Sequence, residues 1–131
     1  MRLALRPRRA VVGLLDETAH LALALLLARR SADPAAAVAG SVFIDIDHLP
    51  SELGHEWLRH GGHGRPYPHA LVTVAALAAL SRAAAVGLAV HLARDLTDGE
   101  SGVRLLWPLS NREFFLPPWL YPIGVGALCA R

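Results

Sequence analysis

Apolar positions fall in long runs of alanine, leucine and valine, and the polar groups among them recur at helical rather than alternating intervals, which predicts helices and no sheet. Val11-Val12-Gly13-Leu14-Leu15 and the run from Leu21 to Ala28 belong to one such stretch, so a first helix is expected from Ala10 to Arg30. Asp33-Pro34 then supplies a cap and a first helical residue for a second helix reaching about Ile44: the carboxylate satisfies open N–H groups, and proline has no N–H to lose there. Pro50, Gly54, Gly61, Gly62, Gly64, Pro66 and Pro68 predict a long loop from Leu49 to Pro68, with one short helical turn around Glu52 to Leu58. A third helix is expected from Pro68 to about Leu80 and a fourth from Ala83 to about Leu96, either separate or as one helix kinked at Ser81-Arg82. Thr97 to Gly102 reads as a turn and Val103 to Leu109 as an apolar stretch closed by Pro108. Glu113 to Ala130, interrupted by Pro117, Pro118 and Pro122, reads as a last short helix or broken segment. The expected fold is all-α, one domain over 1–131 built as a compact bundle of about five short helices.

Composition adds a lean toward apolar surroundings. Hydrophobic residues make up 53% and charged residues 18%, against about 45–50% and about 25% in ordinary soluble domains. The first helix is long enough to cross a bilayer provided that Asp16, Glu17 and His20 face protein or water. The expected location is therefore the cytoplasmic membrane, integral or peripheral, with a soluble cytoplasmic protein as the alternative. The net charge of +2 is too small to direct nucleic-acid binding, although Arg2, Arg6, Arg8 and Arg9 make the first nine residues basic. That end suits a cytoplasmic flank or anionic lipid as well as plain solvent. Asp16, Glu17 and His20 interrupt what would be the apolar core of a secretory signal. A single cysteine, Cys129, excludes an internal disulfide and a cysteine-based zinc site.

The candidate chemistry lies in aspartates and histidines set into these apolar runs. Asp16 and His20 are four residues apart in the first helix, and His91 and Asp95 four apart in the fourth, so each pair shares a helix face. A lone pair of this kind more often orders a core through a His–Asp hydrogen bond. Two pairs, both in strongly apolar sequence where ionisable groups are costly, shift the balance toward a metal held between facing helices. Asp45, Asp47 and His48 add three potential ligands at the end of the second helix, and His69 adds another at the start of the third. The expected ligands are Asp16, His20, Asp45, Asp47, His48, His69, His91 and Asp95. His55, His60 and His63 sit in the long loop, where solvated histidines are common, and rank below these.

Oxygen and nitrogen donors without thiolate suit a divalent ion, zinc first and manganese or iron next, and the number of ligands allows one to three ions. Such ions activate water, with Asp47 or Glu17 as general base and the Arg65 guanidinium placed to take a phosphate or carboxylate group. The phosphate-loop, nucleophile-elbow, His-Glu-x-x-His and dinucleotide fingerprints are all absent from the sequence. Trp57, Trp107 and Trp119 fall in or beside loops, as at a membrane interface or substrate cleft.

Four segments, Asp45-Ile46-Asp47-His48-Leu49-Pro50, Gly64-Arg65-Pro66-Tyr67-Pro68-His69-Ala70-Leu71, Gly87 to Thr97 and Gly102-Val103-Arg104-Leu105-Leu106-Trp107-Pro108-Leu109, resemble in order and spacing the motifs of the YdjM-like predicted membrane-bound metal-dependent hydrolases. The resemblance implies an all-α metal site related to the zinc-dependent phospholipase C and single-strand nuclease superfamily. It also implies ligand roles for Asp45, Asp47, His48, His69, His91 and Asp95, with His20 matching an N-terminal histidine. The chain departs from that pattern where His63-Gly64-Arg65-Pro66-Tyr67-Pro68-His69-Ala70 replaces a His-Arg-Gly and a Thr-His-Ser. The resulting expectation is a metal-dependent hydrolase acting on a small-molecule phosphoester or lipid-like substrate, with membrane association. Two alternatives share the ligands: a diiron or dimanganese oxidase or lyase, and a non-enzymatic small membrane protein handling metal or protons.

Overall fold

The computed structural model describes residues 7–47, 67–98 and 102–130; for 7–17, 47 and 128 it describes the backbone only. Among the described residues there are five α-helices and no strand: α1 (Pro7–Ala28), α2 (Pro34–Val42), α3 (Leu71–Leu80), α4 (Arg82–Asp95) and α5 (Leu120–Cys129). The all-α bundle expected from the apolar periodicity is what forms.

Local chemistry sets the helix ends. The Asp33 carboxylate accepts from the Ala36 N–H at 3.0 Å, with Pro34 at the first helical position, so α2 starts where the sequence places it. It ends earlier than expected, at Val42, and tightens into a 3-10 turn over Phe43–Asp47. That turn carries Asp45 back toward the bundle. Helices α3 and α4 are separate, because Ser81 is extended (φ −153°, ψ 115°) and ends one while its hydroxyl caps the other by accepting from the Ala84 N–H at 3.2 Å. Helix α3 begins at Leu71 rather than Pro68, and its first N–H donates to the Leu105 carbonyl at 2.9 Å. This ties the helix start to the stretch that follows α4. That stretch is irregular, held by the Val103–Phe114 bridge, by Leu116 N–H donating to the Leu96 carbonyl at 2.6 Å, and by Arg104 against Glu113 at 3.1 Å.

The most extensive helix pairing is α2 on α4, with α1 against α2 and α3 against α4. The core is built from small side chains. Among the described residues ten apolar side chains are buried; six are alanines, and the larger ones are Leu23, Leu88, Leu92 and Val103. The helices consequently approach closely, and the interior between them is occupied by His20, His69, His91 and Asp95, all buried.

The expected membrane placement is corrected by the helices themselves: among the described residues none is long and apolar enough to cross a membrane. Helix α1 has the length, with 22 residues, but Arg8, Arg9, Asp16, Glu17, Thr18 and His20 interrupt its apolar run. Much of the apolar content lies in short Ala-rich helices, of which α2 and α4 pair most extensively while α3 has no fully buried residue.

Candidate metal centre

Four elements deliver five ionisable side chains to one place. His20 comes from α1, Asp45 from the 3-10 turn after α2, His69 from the chain entering α3, and His91 and Asp95 from successive turns of α4. His69, His91 and Asp95 have fully buried side chains, His20 is nearly so, and Asp45 is the most open, at 9% exposed.

Nε2 of His69 and Nε2 of His91 are 3.2 Å apart. From His69 Nε2 both Asp45 Oδ1 and Asp95 Oδ2 lie at 3.5 Å. From His91 Nε2 the same two oxygens lie at 3.5 and 3.2 Å. A tetrahedral ion with bonds of about 2.0–2.2 Å has donor–donor edges of about 3.3–3.6 Å. Five of the six separations among these four atoms are therefore close to the edge lengths of a coordination tetrahedron, and the side chains form two triads that could hold a metal ion, His69/His91/Asp95 and His20/Asp45/His91. Charge points the same way, since two carboxylates buried together carry negative charge that a divalent cation would balance.

The imidazoles are aimed. His91 Nδ1 lies 2.7 Å from the Ser41 main-chain carbonyl oxygen, which can only accept, so Nδ1 carries the proton and donates to it. In the neutral ring the lone pair is then on Nε2, facing the cluster, as a metal ligand requires. His20 stacks on His91 with ring centroids 4.1 Å apart. It also meets the outer oxygens of both carboxylates, Asp95 Oδ1 at 3.2 Å from Nε2 and Asp45 Oδ2 at 4.0 Å from Nδ1. Burial raises the Asp45 carboxyl, but the hydrogen bond from His69 and the positive field of His91, His20 and His69 outweigh it and hold the group below its ordinary value.

Of the expected ligands, His20, Asp45, His69, His91 and Asp95 are thus brought together from positions up to 75 residues apart in sequence. Asp16 and Glu17 lie on α1 and Asp47 ends the 3-10 turn, with side chains outside the described residues. His48, His55, Trp57, His60, His63 and Arg65 lie wholly outside them. Two contributors are not legible in the sequence. Ser41 acts through its main chain, which no side-chain pattern records. The Gly40 and Gly87 contact described below depends on which helices pair. Beside the cluster, α1, α4 and α5 line an open pocket of about 340 Å³ walled by Leu23, Val90, Ala93, Leu120 and Val125. Arg94, over the Tyr121 ring at 4.9 Å, is the charged group on its wall.

No family model matches the chain, and no curated protein or solved structure matches it.

Proposed function

We propose that this is a divalent-metal protein whose primary ligands are Asp45, His69, His91 and Asp95, with zinc the ion that these donors suit best and manganese or iron(II) the ions they also accept. The observation that carries the reading is the set of 3.2–3.5 Å separations from the His69 and His91 Nε2 atoms to each other and to the two carboxylate oxygens, each close to the edge length of a coordination tetrahedron.

A non-enzymatic role, holding or handing on a metal, is favoured by burial: three of the four proposed ligands have fully buried side chains. Hydrolysis is the second reading, favoured by Asp45, the ligand that solvent reaches, and by the resemblance to YdjM-like hydrolases. A bound divalent ion would lower the pKa of a water on that side. The chain's own residues would keep His91 turned inward through Ser41 and hold the outer carboxylate oxygens through His20. In this reading Asp47 or Glu17 takes the proton and Arg65 holds the anionic part of the substrate. The apolar pocket with Arg94 on its wall suits a phosphoester carrying an apolar group.

Element-resolved metal analysis of the purified protein is expected to return about one equivalent of zinc, and His91→Ala and Asp95→Ala are each expected to lose it. Unchanged metal content in both variants contradicts the site. Zinc-dependent cleavage of a chromogenic phosphodiester selects hydrolysis over metal holding. Visible charge-transfer bands after aerobic loading with iron select the oxidase alternative.

A further inference from the structure

A close backbone approach between α2 and α4 falls beside the cluster. A Cβ built on Gly87 of α4 would collide with the Ala37 carbonyl oxygen of α2 and stand 3.0 Å from the Ser41 nitrogen. A Cβ built on Gly40 of α2 would collide with the Ala84 carbonyl oxygen of α4 and stand 2.6 Å from its carbonyl carbon. The contact is reciprocal, glycine against the other helix's backbone on both sides, and neither side has a flexible group that could move away. Relieving either collision requires the helices to separate by on the order of 1 Å.

Helix α4 carries two of the four proposed ligands, and the 3-10 turn that follows α2 carries a third. On α4, Gly87, His91 and Asp95 are spaced by four residues and share one face. On the other side Gly40 adjoins Ser41, whose carbonyl accepts from His91 Nδ1 at 2.7 Å, and Asp45 follows four residues later. A separation of about 1 Å at the glycines would carry that hydrogen bond past the distance at which it holds. It would also lengthen the 3.5 Å edge from Asp45 Oδ1 to His91 Nε2. We propose that Gly40 and Gly87 are positioning residues of the metal centre: their mutual contact sets the α2–α4 spacing at which the Ser41 carbonyl fixes the His91 ring and Asp45 reaches the ion. The inference rests on the metal-binding reading above.

Cobalt(II) titration of the metal-free full chain tests it, because tetrahedral cobalt has an intense visible band that reports both affinity and geometry. The wild type is expected to bind with that band. Gly87→Ala and Gly40→Ala are expected to keep most of their helical circular dichroism, to bind at least about tenfold more weakly, within the range for partners that orient a ligand, and to lose the tetrahedral intensity. A control locates the effect. Gly124→Ala adds its methyl where nothing lies within 4 Å and is expected to bind as wild type.

Wild-type cobalt binding in both Gly40→Ala and Gly87→Ala overturns the positioning inference and leaves the metal reading standing; absence of binding in the wild type overturns the metal reading itself. If both glycine variants lose their helical signal, the histidine ring ¹⁵N spectrum of the zinc-loaded wild type decides. A protonated Nδ1 on His91 with slowed exchange supports the arrangement, and a proton on Nε2 overturns it.

Discussion

Gly40 and Gly87 sit in the α2–α4 seam, where an added Cβ meets the backbone of the other helix; Gly124 and Gly126 sit on α5, where an added Cβ meets nothing within 4 Å. The residue type and the Ala/Leu/Val surroundings are the same, yet the first pair closes the wall of a buried ionisable cluster while the second lies on an exposed face. The difference follows from what each helix must satisfy. The seam holds buried aspartates and imidazoles whose desolvation is tolerable only with tight, directed partners. Helix α5 makes limited contact with α1 and has no such group to satisfy. Small residues thus mark close packing in one place and a loosely covered surface in the other.

That contrast can be broken in several places. The largest effect is expected in the seam's polar half. His91→Ala removes a ligand and leaves Asp45 and Asp95 buried with one fewer partner. Losing one ligand corresponds to roughly a quarter of the about 10–16 kcal/mol that a four-ligand zinc site supplies, on the order of a hundredfold or more in Kd, measured by competition with a chelator. Next comes the apolar half. Leu88→Ala truncates a fully buried core residue and is expected to cost about 2–5 kcal/mol, whereas Leu109→Ala, at a residue 93% exposed, is expected to stay within about 0.5 kcal/mol of wild type; denaturant unfolding compares the two.

The glycines give the sharpest opposition of sign. Gly87→Ala is expected to lower stability by about 1–3 kcal/mol through overpacking, and Gly124→Ala to raise it by about 0.5–1 kcal/mol through helix propensity and reduced freedom of the unfolded chain. Two thermal melts that shifted in the same direction would erase the contrast. The smallest effect is in pH. The Asp45 carboxyl is more acidic folded than unfolded, so in metal-free protein its contribution is present above its ordinary value of 3.8 and is lost as pH falls through the lowered folded value. Asp45→Asn is expected to flatten the stability curve over that acidic interval, measured by unfolding at a series of pH values.

The parts of the molecule legible in the sequence were those written in local spacing. Asp33-Pro34 announces the start of α2, and His91 with Asp95 announces one ligand-bearing face of α4, because capping and the four-residue repeat both act within a turn or two of chain. Asp45 and His69 could be nominated from their residue types and positions. That they face His91 and Asp95 depends on the 3-10 turn and on Leu105 fixing the start of α3, neither of which has a local signature. His20 illustrates the limit. Among the described side chains the carboxylates against it are Asp95 and Asp45, both distant in sequence and announced by no spacing along α1. The membrane expectation failed for a related reason: composition counts apolar residues without saying how they are distributed, and among the described residues no helix gathers enough of them in one long run to cross a membrane.

X-ray absorption at the zinc edge of the zinc-loaded protein is the most direct test of the metal centre. The arrangement of His69, His91, Asp45 and Asp95 predicts four nitrogen and oxygen donors at about 2.0–2.1 Å, outer-shell scattering from two imidazoles and no sulfur shell. Six long oxygen-rich bonds without imidazole scattering, or failure to retain zinc through dialysis, would contradict it.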